Sequence, residues 1–398
     1  MTNPTDSGAA QVAQQANAEG MAAMREQRFA NAAAAFRRAA SADPEALPLW
    51  LNLAHACRMQ GDGSAERAAL EAALDLDRTH FPSQLRMAQL LQRLGEEQAA
   101  FRAWHGVQLL AAQMAPLTGP LAAEVADGAA WCAELQARLA AAADGVVAMH
   151  LDRSSETEAR RIKAFVDLAL GRRQVFQNEC AGTYYPFLPA DEFFDFAHFP
   201  WLEQLEAKAD VIRAELEGLL AGAQELLRPY VRMEAGNPAS KWDALDHSLD
   251  WSACFLYEYG RPNQPVLDRC PQTAQLLASL PLARIPGRAP NAFFSLLAPH
   301  SHIPPHTGVT NTRAIIHLAL IVPPNCGFRV GGETREWVEG KCFAFDDSIN
   351  HEAWNRSDQR RAVLIIDTWN PHLTERERDA IVDYFAVADQ TLAGSADG

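Results

Sequence analysis

Residues 342–369 read CFAFDDSINHEAWNRSDQRRAVLIIDTW, and the fold turns on this stretch. Two apolar runs rich in aromatic and β-branched residues, Cys342–Phe345 and Ala362–Trp369, flank a polar segment whose turn residues run from Asn355 to Asp358. Such runs, bounded by Asn, Asp and Ser, read as strands. Further upstream the same texture recurs at Ala253–Tyr259, Phe293–Leu297, Ala314–Val322, Gly327–Val330 and Glu336–Val338, with turn signals at Gly331-Gly332 and Glu339-Gly340. Six to eight short antiparallel strands at this spacing predict a double-sheet jelly roll, a double-stranded β-helix, with flanking helices. A closing helix from Thr374 to about Ala388 and a small-residue tail expected to fray end the chain.

The N-terminal part is written in helices. Over residues 13–112 a 34-residue repeat aligns Gly20 with Ala54 and Ala88, Phe36 with Leu70 and Trp104, and Ala39 with Ala73 and Val107. Small residues recur where two helices cross, large ones where the next pair stacks. With Pro44 closing the first copy, the pattern resembles the tetratricopeptide repeat, and three copies are the fewest that bury a continuous core. An Ala-rich segment from about 118 to 145 predicts one or two helices capping the stack, and Ser155 with Glu158 predicts a capping box for a helix through Leu170. After Gly171 an irregular aromatic stretch leads to Pro200, which opens a helix to about Leu220. The expected organisation is multidomain α + β: a helical repeat domain over 13–145, a helical linker over 146–180 and a jelly-roll domain over 181–390.

Composition bounds the function. A formal charge of -15 leaves no basic face for phosphates, which argues against nucleic acid and an anionic membrane as partners. The first 20 residues lack the basic and apolar regions of a signal peptide, and no stretch of 18 unbroken apolar residues follows, so the expected location is cytoplasmic. Seven scattered cysteines without a CxxC pair are expected as buried thiols rather than as disulfides or a zinc site.

The chemistry-bearing residues cluster late in the chain. If Asn355–Asp358 turns a hairpin, His351 and Arg361 become cross-strand neighbours, with Cβ atoms about 5 Å apart. Imidazoles from two strands, His306 and His351, suit Fe(II), and an Arg fork beside them suits the far carboxylate of a keto diacid such as 2-oxoglutarate. The carboxylate that usually completes a non-haem iron triad would stand two residues after His306, where the chain has Gly308. Water or chloride fills that place equally well, so hydroxylation and halogenation both stay open. Asp346 and Asp347 are expected to shape a strand end, one of them orienting His351. His300 and His302 are expected on the pocket rim, and Trp354 and Trp369 in packing.

Residues from about 184 to 375 resemble the aspartyl/asparaginyl β-hydroxylase family of iron and 2-oxoglutarate dependent dioxygenases. The likeness rests on Pro305 to Gly308, Asn311, His317-Leu318, Trp337, Glu339 to Lys341, Phe345 to Ser348, His351-Glu352, Arg361, Asp367 and Trp369 to Pro371. It implies that His306 and His351 are the iron ligands with no carboxylate ligand, and that Arg361 and Ser295 hold the distal carboxylate of 2-oxoglutarate, with His317 and Trp251 lining its pocket. O2 would be the oxidant, and a peptide, protein side chain or amino-acid-like molecule the substrate. In the family's animal members the position two before the pocket histidine is an Arg that grips an acidic substrate side chain. Here it is Ile315, while Arg313 matches and is the candidate substrate contact. The competing reading is a repeat scaffold with a degenerate jelly-roll binding module, its helical face engaging a protein partner.

Overall fold

Two units, Met1–Asp152 and Arg153–Gly398, divide the chain in this computed structural model, which describes residues 4–236 and 238–394. The first unit holds α1 (Pro4–Arg25), α2 (Phe29–Ala42), α3 (Leu47–Gln60), α4 (Gly63–Leu76), α5 (Phe81–Arg93), α6 (Glu97–Ala112) and α7 (Gly119–Leu151). The first six form three helical hairpins in register with the repeat, a tetratricopeptide-type solenoid, and the Ala-rich segment becomes the single long helix α7. Phe36, Leu70 and Trp104 are buried, as are Ala54 and Ala88. Gly20 must lack a side chain because a Cβ there would lie 2.5 Å from the Phe36 ring. Between α3 and α4, Gly61 takes the left-handed conformation (φ 82°) that ends a helix, and the Asp62 side chain accepts from the Ala65 N–H to start the next.

The second unit opens with α8 (Glu156–Ala169), capped reciprocally by Ser155 and Glu158 as its sequence predicts. Its first strands are β1 (Phe193–Phe194), β2 (Arg228–Pro229), β3 (Trp251–Glu258), β4 (Arg261–Pro262) and β5 (Ala292–Leu297). The rest are β6 (Ser301–His306), β7 (Arg313–Ile321), β8 (Cys326–Val330), β9 (Glu333–Arg335), β10 (Cys342–Phe345), β11 (His351–Asn355) and β12 (Arg361–Trp369). One sheet runs β1-β10-β7-β12-β5-β3-β2 with β4 on β3, the other β6-β11-β8-β9, all antiparallel. The helix expected from Pro200 is broken into α9 (Leu202–Glu206) and α10 (Ala209–Gly222). The break falls where Glu206 accepts from the Cys342 N–H at 2.8 Å and from Lys341. Two short helices that the sequence texture does not announce, α11 (Gln264–Leu267) and α12 (Pro271–Ser279), and the closing α13 (Glu375–Gly394) complete the unit. That last helix outruns its expected end at Ala388, and residues 395–398 of the tail expected to fray lie outside the described residues.

Strand alternation assigns the two faces of the large sheet. Ala314, Ile316 and Leu318 of β7 and Ala362, Leu364 and Ile366 of β12 pack outward against α9 to α12. Each such fully buried Leu or Ile stabilises the fold by about 1.5–3 kcal/mol. The alternate residues, with Phe328, Val330 and Ala353 of the small sheet, fill the space between the sheets.

Two expectations fail here. Glu336–Val338 is not a strand: Glu333–Arg335 pairs with β8 across the Gly331-Gly332 turn instead, which frees Trp337 to bury its ring between the sheets. The β11–β12 hairpin does not form either. Both edges of β11 are taken by β6 and β8, and both edges of β12 by β5 and β7, so the chain crosses from one sheet to the other between them. Asn355 holds that crossing, its Nδ2 lying 3.1, 3.0 and 2.7 Å from the carbonyls of Leu297, Ala298 and Gln359.

All seven cysteines are free thiols, five of them buried. No helix among the described residues is long and apolar enough to cross a membrane.

Candidate active site

His306 and His351 are cross-strand partners on the inner face of the small sheet. Parity alone would not put them there. Ile303 and His306 both face inward although they are three residues apart, an odd spacing that sends side chains to opposite faces of a regular strand. The register shift between His351 and Ala353 supplies the missing residue: Pro304 and Pro305 together oppose Glu352, a bulge that re-aims His306. Prolines are tolerated at such a place because the ladder is already interrupted.

The imidazole rings lie 4.1 Å apart between centroids. Each Nδ1 faces a main-chain carbonyl, His306 that of Pro304 at 2.8 Å and His351 that of Ile349 at 2.9 Å. Nδ1 therefore carries the proton, and Nε2 is left as the lone-pair nitrogen, the arrangement a metal-binding imidazole needs. Burial pushes His306 down to about 4 and His351 well down, so both rings are neutral donors near pH 7.

Across the cavity, the inner face of the large sheet aligns its side chains in rows set by register. Arg361, Leu297 and Trp251 form one row, and Val363, Ser295 and Ala253 the next. Arg361 is almost fully buried and has no carboxylate partner among the described residues. One Nη lies 3.5 Å from the Ser295 carbonyl, Nε has no hydrogen-bond acceptor, and the guanidinium sits 4.7 Å from the Trp337 ring centre. Burial lowers its pKa to about 10, so it stays charged. An unpaired buried guanidinium costs several kcal/mol of desolvation, an expense that a bound anion offsets. Ser295 Oγ accepts from the Trp251 indole at 3.1 Å, which leaves the hydroxyl proton free to donate to such an anion. His317, buried one row further, is held neutral by burial and by the charge of Arg361.

His306, His351, Arg361, Ser295, His317 and Trp251 all line one cavity of about 540 Å³, and Arg313 lines it too. Convergence thus comes from two facing sheets rather than from the hairpin that the sequence predicts. Arg313 is ion-paired with Asp367, which also accepts from Asn291 at 3.0 Å. A Cβ on Gly308 would fall 2.1 Å from a carboxylate oxygen of Asp347, so position 308 has no room for a side chain while Asp347 occupies that wall. Asp346 points elsewhere, accepting from the Ser348 hydroxyl and from Asn178 at 2.6 and 2.7 Å, and so shapes the strand end.

His300 and His302 do not reach the pocket rim. They line a separate outer cavity with Arg329 and Trp354, paired with Asp358 and Glu352, because the parity that turns Ile303 inward turns His302 out. Trp354 packs over Gly327, and Trp369 against the cluster beneath α13.

The segment that carries the motif is similar to a known family. Residues 206–371 match the model described as aspartyl/asparaginyl beta-hydroxylase. Over that segment the C-terminal unit is similar to the family. Human aspartyl/asparaginyl beta-hydroxylase is 38% identical over 133 residues, covering 33% of this chain and 17% of the human protein. The ornithine lipid ester-linked acyl 2-hydroxylase of Rhizobium tropici is 35% identical over 181 residues, covering 45% and 60% respectively. Human aspartate beta-hydroxylase domain-containing protein 2 is 32% identical over 205 residues, covering 50% and 53%. The chain thus spans less than two thirds of each of these family relatives.

Sequence reasoning missed the aromatic wall of this cavity. Tyr230 stacks on Trp251 at 4.0 Å, and Trp242 stands edge-on to His306 at 5.0 Å. Both lie in or beside an irregular stretch without periodicity, so no pattern marks them.

Proposed function

We propose that the C-terminal unit is an Fe(II)- and 2-oxoglutarate-dependent dioxygenase that hydroxylates an unactivated C–H bond of a peptide, protein side chain or amino-acid-like substrate. The observation that carries this reading is the pairing, in one cavity, of two imidazoles with their Nδ1 protons engaged and a buried guanidinium without a counter-ion among the described residues. Ferrous iron bound there would supply the oxidising chemistry, in which one atom of O2 enters the C–H bond and the other enters succinate as 2-oxoglutarate loses CO2.

The chain's own residues position and shield. His306 and His351 would hold the ion through Nε2, oriented by the Pro304 and Ile349 carbonyls. Arg361 and the Ser295 hydroxyl would take the far carboxylate of the cosubstrate, with Trp337 backing the guanidinium. The stacked aromatic rings keep bulk water from the reacting centre. Halogenation gains no support, since the Asp347 carboxylate stands against Gly308, where a halide would have to sit. Relatives named for aspartyl or asparaginyl residues and for an acyl group both match, so the likeness alone leaves the substrate class open.

The test is metal and cosubstrate binding by the purified chain. Equilibrium dialysis is expected to show one Fe(II) or Mn(II) site lost in both His306→Ala and His351→Ala, with succinate release lost alongside. Unaltered metal uptake in either variant removes that residue from the site, and no uptake by the parent chain favours a non-catalytic scaffold.

A further inference from the structure

Among the described residues, the inner cations of the cavity already face acids or the proposed diacid. Arg313 pairs with Asp367, and Arg228 with Glu258. Arg361 faces the small-molecule diacid of the reading above. Arg232 lines the mouth but is exposed, where water and salt screen it. The remaining ionic group, Asp347, is another acid. A substrate carboxylate brought up to the histidines would lose its water, find no buried cation without an ion-pair partner among the described residues other than Arg361, and meet Asp347 and Asp367, an arrangement that like-charge repulsion and desolvation both oppose.

What the wall does offer is hydrocarbon contact. Arg313, Ile315 and His317 alternate onto the inner face of β7, so Ile315 stands in the cavity between the neutralised Arg and the pocket His. Its register partners, Phe345 on β10 and Asp367 on β12, face the cavity with it. Val309 and Ile365 line the same space. Further along the same sheet, Phe255 stacks on Phe293 at 4.8 Å and Tyr230 on Trp251. Aromatic and branched walls of this kind gain by burying CH2 and CH3 groups and give nothing to an amide or a carboxylate.

We propose that the group this site accepts beside the histidine pair is an uncharged aliphatic one and not a carboxylate-bearing side chain. The inference rests on the dioxygenase reading, and it makes Ile315 a specificity-determining residue. Trp242 and Trp251 sit in the cleft, so occupancy can be read by their fluorescence without turnover.

The experiment titrates the full chain with three neutral-backbone probes: N-acetyl-leucinamide, octanamide, and N-acetyl-aspartic acid amide at pH 7.5, where its side chain is ionised. Saturable quenching by a hydrocarbon probe at a concentration at least about tenfold below that for the aspartic probe is the expected result, about 1.4 kcal/mol of preference. A tighter octanamide assigns the group to an acyl chain, a tighter leucine derivative to a side chain. Ile315→Arg should shrink or invert the preference. Equal or tighter binding of the aspartic probe to the parent chain overturns the proposal, as does the absence of saturable quenching by both hydrocarbon probes. Thermal stabilisation by 2-oxoglutarate with Mn(II), measured in the same samples, tests the underlying dioxygenase reading separately.

Discussion

Arg361 shows how a single residue's poor local satisfaction becomes an argument about a ligand. A buried guanidinium with a free Nε and a 3.5 Å contact to a carbonyl is costly by itself and suited to a dicarboxylate. Arg361→Gln keeps the bulk and loses the charge. It is expected to raise the 2-oxoglutarate concentration needed for half-saturation about 10- to 150-fold, the worth of one charged hydrogen-bond pair, about 1.5–3 kcal/mol, while metal uptake persists. An unchanged requirement in a titration would take Arg361 out of the cosubstrate pocket.

A second residue, Asp346, ties the strand end to solution conditions. Burial pushes its carboxyl from 3.8 up to about 6, against hydrogen bonds from Ser348 and Asn178 that pull it down. A carboxyl whose pKa is raised on folding favours the folded state below its unfolded value. That stability is lost as pH rises through the folded value, here between about 4 and about 6, and two units correspond to about 3 kcal/mol at most. Asp346→Asn keeps an acceptor for Ser348, and Asn178 can turn its amide to accept from the new one. Relative to the parent chain the variant should gain about 1–3 kcal/mol in urea unfolding on going from pH 4 to pH 7. A difference between the two proteins that is flat with pH would show that Asp346 does not titrate there.

At the scale of elements, the crossing from β11 to β12 couples the histidine sheet to the arginine sheet. Asn355→Ala leaves the carbonyls of Leu297, Ala298 and Gln359 without their shared donor, which should cost about 3 kcal/mol. Because His351 begins β11 and Arg361 begins β12, metal and 2-oxoglutarate affinities should fall with it. A loss below about 1 kcal/mol, or affinities untouched, would mean the crossing is held by the ladders alone. This crossing also marks the limit of what the sequence shows. Alternating runs at β5, β7, β10 and β12 are legible because each is long enough for parity to speak. Which strands share a sheet is not, since turn residues at Asn355–Asp358 look the same in a hairpin and in an arch between sheets. The β6 bulge is equally silent, as Pro304-Pro305 reads as a strand breaker until its partner strand is known. His306, His351 and Arg361 stand out through their motif, whereas Tyr230 and Trp242 line the same cavity only because the chain path carries them there.

At the scale of the whole chain, each unit holds apolar clusters of its own among the described residues. Those of the first unit draw on residues between Ala13 and Cys132, those of the second on residues between Phe176 and Phe385. A unit that buries its own core is expected to fold by itself. A fragment of residues 153–398 should therefore unfold in one cooperative urea transition and keep its 2-oxoglutarate affinity within about threefold of the full chain, a difference below about 0.7 kcal/mol. A fragment of residues 1–152 should give the circular dichroism of a helical stack, because its three hairpins and α7 already reach the number of repeats that such stacks need. Insolubility of the 153–398 fragment, or a cosubstrate affinity more than about tenfold weaker, would show that the jelly-roll unit depends on the repeats for its fold. The two fragments separate two roles that the full chain mixes. If substrate binding is lost with the repeats while cosubstrate and metal binding are kept, the solenoid recruits what the jelly roll oxidises; if all three survive, the repeats serve another partner.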